Sequence, residues 1–148
     1  MTLAEMMRRV ESLDLRNETM HVFEERTPEI IDMNTGQLMS GVSSNSESIQ
    51  PEYHNEDYAS LKQQLNPAPP KGVPDLNLTG SFHAGFRVEV KSDSLEFSSI
   101  DEKTDYLTKK YSDDIFGLTK ENKREFSLGY LFEDLKDYIT RTTGLTFK

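Results

Sequence analysis

The residues best suited to chemistry are few and widely spaced. Pro74-Asp75 is followed at a distance by Glu89-Val90-Lys91. Two carboxylates can hold a Mg²⁺ ion through oxygen, and a lysine can activate water or stabilise the transition state of phosphodiester hydrolysis. Alternation along a strand puts Glu89 and Lys91 on one face, opposite Val88 and Val90. Two features weigh against a metal site. Asp75 stands in a proline-rich stretch instead of a strand, and the chain offers no basic track for nucleic acid. Exposed charges on a hairpin give the same pattern.

The remaining candidates are weaker still. His21, His54 and His83 lie far apart without close metal-ligand neighbours, so each reads as structural or solvated. Asp113-Asp114 reads as the start of a turn. There is no cysteine, which removes disulfides, thiolate metal sites and cysteine nucleophiles together. No P-loop, dinucleotide fingerprint, nucleophile elbow or calcium-loop pattern occurs. The expectation is a protein that is not an enzyme, with no catalytic, cofactor-binding or metal-ligating residues and no cofactor.

Composition agrees. The 148 residues carry 17 Lys+Arg against 26 Asp+Glu, a net charge of −9, and 34% are hydrophobic. Mean hydropathy is −0.67. A chain of this length forms one domain, 1–148, with a modest core. No apolar run reaches the roughly 20 residues of a membrane span, and Arg8 and Arg9 break up the early apolar positions that a secretory signal would need. Non-specific nucleic-acid binding requires Lys and Arg to neutralise phosphates, and the charge runs the other way. The excess acid is concentrated: residues 1–60 hold 12 acids and 4 bases, whereas residues 101–148 hold 10 and 9. A cluster of Lys109, Lys110, Lys120, Lys123 and Arg124 stands out against it.

The elements that would carry these residues are legible in part. Residues 1–40 read as N-terminal helices. Thr2 with Glu5 forms a capping box ahead of Leu3, Met6, Met7 and Val10. Asn17 caps a second stretch, which either kinks at Pro28 or restarts there with Thr27 as cap. Residues 41–76 read as a polar and proline-rich arm, with a short strand near Ser48–Gln50 and a helix over 55–65. That helix is capped by Asn55, with Tyr58, Leu61 and Leu65 on one side. Residues 77–148 read as a hairpin plus C-terminal helices. Phe86, Val88 and Val90 alternate with charges, the chain turns at Ser92-Asp93-Ser94, and Leu95 and Phe97 return. A helix spans 101–111, burying Leu107. Another opens at Thr119, and Leu128, Leu131, Phe132, Leu135, Tyr138 and Ile139 form the apolar stripe of the last helix, which stops at Gly144. The fold class is α+β: a small antiparallel sheet with a central hairpin (86–99), flanked by N-terminal and C-terminal helices, with a proline-rich extended arm.

Three segments carry a family resemblance. LTGSFHAGFRVEV at 78–90, IDEKTDYLTKKYSDDIFGLTKENKREF at 100–126 and QLMSGVSSNSESIQPEY at 37–53 resemble the morphogenesis proteins of tailed phages and prophages of Bacteroides-type hosts. The similarity spans roughly residues 30–126. It departs at Ser112, where a glycine is common, and at Asn45-Ser46, where a Ser-Gly pair often stands. Both are turn positions. The resemblance implies a minor structural protein of the neck or tail-completion type, found in the virion's neck or tail region and in the host cytoplasm during assembly. It implies a homo-oligomeric ring between portal and tail. Portal, adaptor or tail proteins would be its partners, contacted through 41–76 and the N-terminal helices. Such a ring can line a DNA channel without sequence-specific binding, since an acidic surface repels the duplex. No membrane partner is implied. The alternative class is a Mg²⁺-dependent nuclease of the PD-(D/E)xK type, with Asp75, Glu89 and Lys91.

Overall fold

The computed structural model describes residues 1–147 and has the expected α+β class. Three helices open the chain, α1 (Leu3–Glu11), α2 (Leu15–Glu25) and α3 (Thr27–Met39), and α4 (Glu56–Leu65) follows after a loop. A single turn, α5 (Ser81–Ala84), leads into the hairpin of β1 (Phe86–Val90) and β2 (Leu95–Ser99). Then come α6 (Thr104–Tyr111), a 3₁₀ turn at Asp113–Ile115, α7 (Lys120–Phe126), a π turn at Ser127–Leu131 and α8 (Phe132–Thr143).

Local sequence explains most boundaries. Thr2 and Glu5 make the reciprocal capping box of α1, and Thr119 caps α7 by accepting from the Asn122 N–H. Asp14, not Asn17, caps α2; its carboxylate accepts from the Asn17 N–H. The chain restarts after Arg26, with Pro28 in the first turn of α3, where a missing N–H costs no helical bond. Arg26 then fastens this corner to the C-terminal helix. Its Nε and Nη2 donate to Asp134 at 2.9 and 3.0 Å, and its guanidinium lies 4.9 Å from the centre of the Tyr130 ring.

The core has two lobes. Leu38, Ile49, Leu76, Phe82, Phe86 and Ile115 form one; Ile30, Leu118 and Phe126 form the other, joined by Phe23, Val88, Leu95, Phe97 and Tyr130. The hairpin register pairs Val88 with Phe97 and Val90 with Leu95, which sends its apolar face to the second lobe. Buried amides on α3 hold the 115–119 loop between the lobes. Asn34 donates to the Ile115 carbonyl and accepts from the Gly117 N–H, while Gln37 donates to the Gly117 carbonyl and accepts from the Thr119 N–H. Four backbone groups of this buried or half-buried loop are thereby satisfied by two side chains.

The stretch expected to be an arm is packed against the body over 73–76. Val73, Pro74, Asp75 and Leu76 are all buried. Gly41, at φ +74°, permits the approach: a Cβ there would sit 2.6 Å from Val73 Cγ1 and 2.9 Å from Pro69 Cβ. Ile49 is buried too, and the strand expected near Ser48–Gln50 is reduced to one bridge, Val42 to Ser48. The last helix also differs. Its π turn adds a residue to the helical repeat and rotates the following surface. Leu128 and Phe132 therefore face solvent, and Phe126 and Tyr130 take the inward positions.

Ser46 and Ser112, the two serines at the turn positions where the resemblance has glycine, lie at φ 67° and 75°. Ser112, with ψ 163°, occupies a region populated almost only by glycine. Ser112→Gly relieves roughly 1–3 kcal/mol of backbone strain and forfeits about 1 kcal/mol of capping and chain entropy. The net gain is about 0–2 kcal/mol, so a melting temperature raised by up to a few degrees is the expected outcome; a lowered value contradicts the strain.

Candidate functional site

Asp75, Glu89 and Lys91 have no partner in common. Asp75 is 2% exposed. Its carboxylate accepts from Lys62 Nζ at 2.8 Å, from the Asn77 N–H at 3.0 Å and from Asn66 Nδ2 at 3.0 Å. Burial alone would raise its pKa, but the hydrogen bonds from Lys62, Asn66 and Asn77 outweigh it and hold the carboxyl below the usual range. Glu89 and Lys91 lie on the outer face of the hairpin, 2.9 Å apart, with Glu96 3.8 Å from the same ammonium. Among the described residues no group of three or more His, Cys, Asp or Glu side chains is disposed to hold a metal ion.

The histidines are equally dispersed. His21 pairs with Glu25 on the surface of α2, and His54 is exposed. His83 is packed beside Phe82 and Phe86, with Nε2 2.9 Å from the Asp75 carbonyl. Burial pushes its imidazole below the ordinary 6.5, although the Asp75 carbonyl and carboxylate pull the other way. The unfolded chain therefore takes up this proton first. His83's contribution is fully present above pH 6.5 and is lost as pH falls towards the depressed folded value. Melts between pH 8 and 5 are expected to show a falling melting temperature, flattened in His83→Gln; parallel curves for the two proteins contradict this. The carboxylates held low, Asp75, Asp101 and Asp134, act in a separate window below their usual 3.8.

One polar cluster escaped the sequence because its members come from separate segments. Ser81 Oγ donates to Asp101 Oδ2 at 2.8 Å, and Lys103 Nζ donates to Ser81 Oγ at 2.9 Å while lying 3.5 Å from Asp101. A serine nucleophile needs an unprotonated base strong enough to take its proton, and a carboxylate with a lowered pKa is a weak one. Here burial would raise the Asp101 pKa, but the hydrogen bond from Ser81 and the other contacts lower it, and Lys103 is paired with that carboxylate. The cluster ties the 79–81 turn to the corner before α6.

The larger features are apolar surfaces. Most of the α1 stripe is turned outward: Leu3 is 73%, Met7 54% and Val10 43% exposed, while Met6 is half-buried where α1 meets α8, and no α1 residue is fully buried. In α4 the expected stripe is outward as well, with Tyr58, Leu61 and Leu65 exposed and Ala59 buried instead. Beside α4 a cleft of about 150 Å³ is lined by Tyr53, Tyr58, Tyr106 and Tyr111 with Lys62 and Lys103. Lys110 Nζ lies 5.7 and 5.3 Å from the Tyr106 and Tyr111 ring centres. Burial raises the Tyr53 and Tyr111 hydroxyls above the usual range. On the other lobe, Phe23, Leu95, Phe97, Leu118 and Phe126 line a groove of about 620 Å³ with Lys123 at its rim. Lys109, Lys110, Lys120, Lys123 and Arg124 are all exposed, as are most acids of residues 1–60.

Among the described residues no helix is long and apolar enough to cross a membrane. Comparison with protein-family models, curated proteins and solved structures returned no match for this chain.

Proposed function

We propose that this chain is a structural, non-enzymatic subunit of a tailed-phage virion, a neck or tail-completion protein working as an oligomeric ring between portal and tail. The observation that carries the reading is the outward turn of two apolar helical stripes, Leu3/Met7/Val10 on α1 and Tyr58/Leu61/Leu65 on α4. A nine-residue helix with no buried residue is marginal by itself, because short helices depend on packing. Exposed apolar stripes of this kind mark contacts with other chains. The family resemblance of 37–53, 78–90 and 100–126 supplies the setting. The exposed acids of the first 60 residues suit a channel wall that DNA passes without sticking.

Mass spectrometry of purified virions tests the assignment, with the protein expected in the mature particle. The nuclease alternative is separated by supercoiled-plasmid cleavage with Mg²⁺ or Mn²⁺. No cutting is expected; cutting that vanishes in Glu89→Ala and Lys91→Ala overturns the structural reading.

A further inference from the structure

We propose that a second copy of this chain seats its α4 in the groove between α2, the hairpin and α7, so that subunits associate head to tail. The inference rests on the oligomeric reading above and names the two surfaces.

The groove is built to receive an apolar helix face. It has a volume of about 620 Å³ and is lined mainly by Phe23, Ile30, Leu95, Phe97, Leu118 and Phe126. No carboxylate lines it, and its one charged group is Lys123. Past Phe23 and Leu95, which line both spaces, it continues into a second hollow of about 390 Å³ at the hairpin tip. Arg16 stands there with Lys91, which is already paired with Glu89 on its own strand, and with a single lining acid, Asp93. The trough is therefore apolar along its floor, with Arg16 and Lys123 as the lining cations that meet no carboxylate among the described residues.

Helix α4 has the complementary form. Tyr58, Leu61 and Leu65 fall at i, i+3 and i+7 and are exposed, the spacing with which amphipathic helices fill apolar grooves. Lys62 is turned inward to Asp75, so the charge that α4 presents outward comes from Glu56 and Asp57 in its first turn. Glu56 meets Lys71 on its own chain, which leaves Asp57 to face those two cations. Charges so arranged fix register more than affinity. Donor and acceptor are different surfaces, one beside the 66–77 segment and the other bounded by α2, β2 and α7. A bound pair thus retains one free α4 and one free groove, and repetition closes a ring or extends a stack.

The absence of cysteine makes the test clean. Leu61→Cys and Lys123→Cys, both at exposed positions, are prepared separately, mixed and mildly oxidised; Met7→Cys with Lys123→Cys serves as the comparison pair. The L61C–K123C cross-link is expected to dominate over either homodimer and over the M7C pair. By light scattering at on the order of 100 µM, where even micromolar interfaces are filled, the wild type is expected to self-associate. Leu61→Glu with Leu65→Glu is expected to weaken that association more than about ten-fold with unchanged circular dichroism. A wild type that stays monomeric, or a preferred M7C cross-link, overturns the docking. So does association that survives the two glutamates, an outcome that leaves the oligomeric reading standing. Whether the protein belongs to the virion is decided independently by the particle's composition.

Discussion

Asp75→Ala is expected to destabilise the fold by about 3–5 kcal/mol, the usual cost of breaking one side of a buried ion pair. In a chain of this length that lowers the melting temperature by roughly 10 °C or more. The carboxylate is 2% exposed and the Lys62 side chain 12%. Removing Asp75 strands the ammonium with only the Asn77 carbonyl, 2.7 Å away, and leaves Asn66 with the Met39 carbonyl as its remaining acceptor. Lys62→Ala should cost less, because the carboxylate keeps the Asn77 N–H and Asn66 Nδ2 as donors. The double replacement Asp75→Leu with Lys62→Met should recover much of the loss, because a buried pair is worth little more than well-packed apolar residues. Urea unfolding of the wild type, Asp75→Leu, Lys62→Met and their combination measures the coupling. Additive single effects would contradict the account, as would a loss below about 1 kcal/mol for Asp75→Ala.

Phe86→Ala should be comparably severe, at about 3–5 kcal/mol. Phe86 is 1% exposed, with Phe82 and Phe116 ring centres 5.2 and 5.3 Å away. It begins β1 and packs into the first lobe, so its loss leaves a cavity where the hairpin joins the helices. Phe132→Ala, by contrast, should cost no more than about 1 kcal/mol, as exposed substitutions do. The comparison is informative because the sequence alone ranks Phe132 as a core residue of the last helix. Equal losses at the two positions would mean that the π turn does not rotate the stripe.

What was legible in the chain was local. Alternation at Phe86–Val90 and Leu95–Phe97 fixed the hairpin, and the hydroxyls of Thr2 and Thr119 marked helix starts, because each signal depends on neighbours a few residues away. The rest depended on contacts between distant segments. Asp75 lies in a stretch whose prolines exclude helix and central strand, and nothing within that stretch tells that Lys62 and Asn66 approach it. Asn34 and Gln37 look like ordinary polar residues of a helix until the 115–119 backbone is laid across them. The apolar stripes of α1 and α4 were visible as periodicity, but periodicity gives a face without saying what covers it. Leu128 and Phe132 failed for another reason. They align with the stripe only at a constant 3.6-residue period, and the chain makes a wider turn at Ser127–Leu131.

A thin hydrophobic fraction is therefore divided between core and surface. Part of the apolar surface of α1 and α4 lies outside the core, and the body is held by two modest lobes, a buried ion pair and amide clamps. The most direct measurement is an image of the whole particle at a resolution that traces helices. The account predicts this fold repeated around the head–tail junction, with the outward faces of α1 and α4 covered by neighbouring chains. Finding the protein absent from the mature particle, or present with both faces open to solvent, would contradict it.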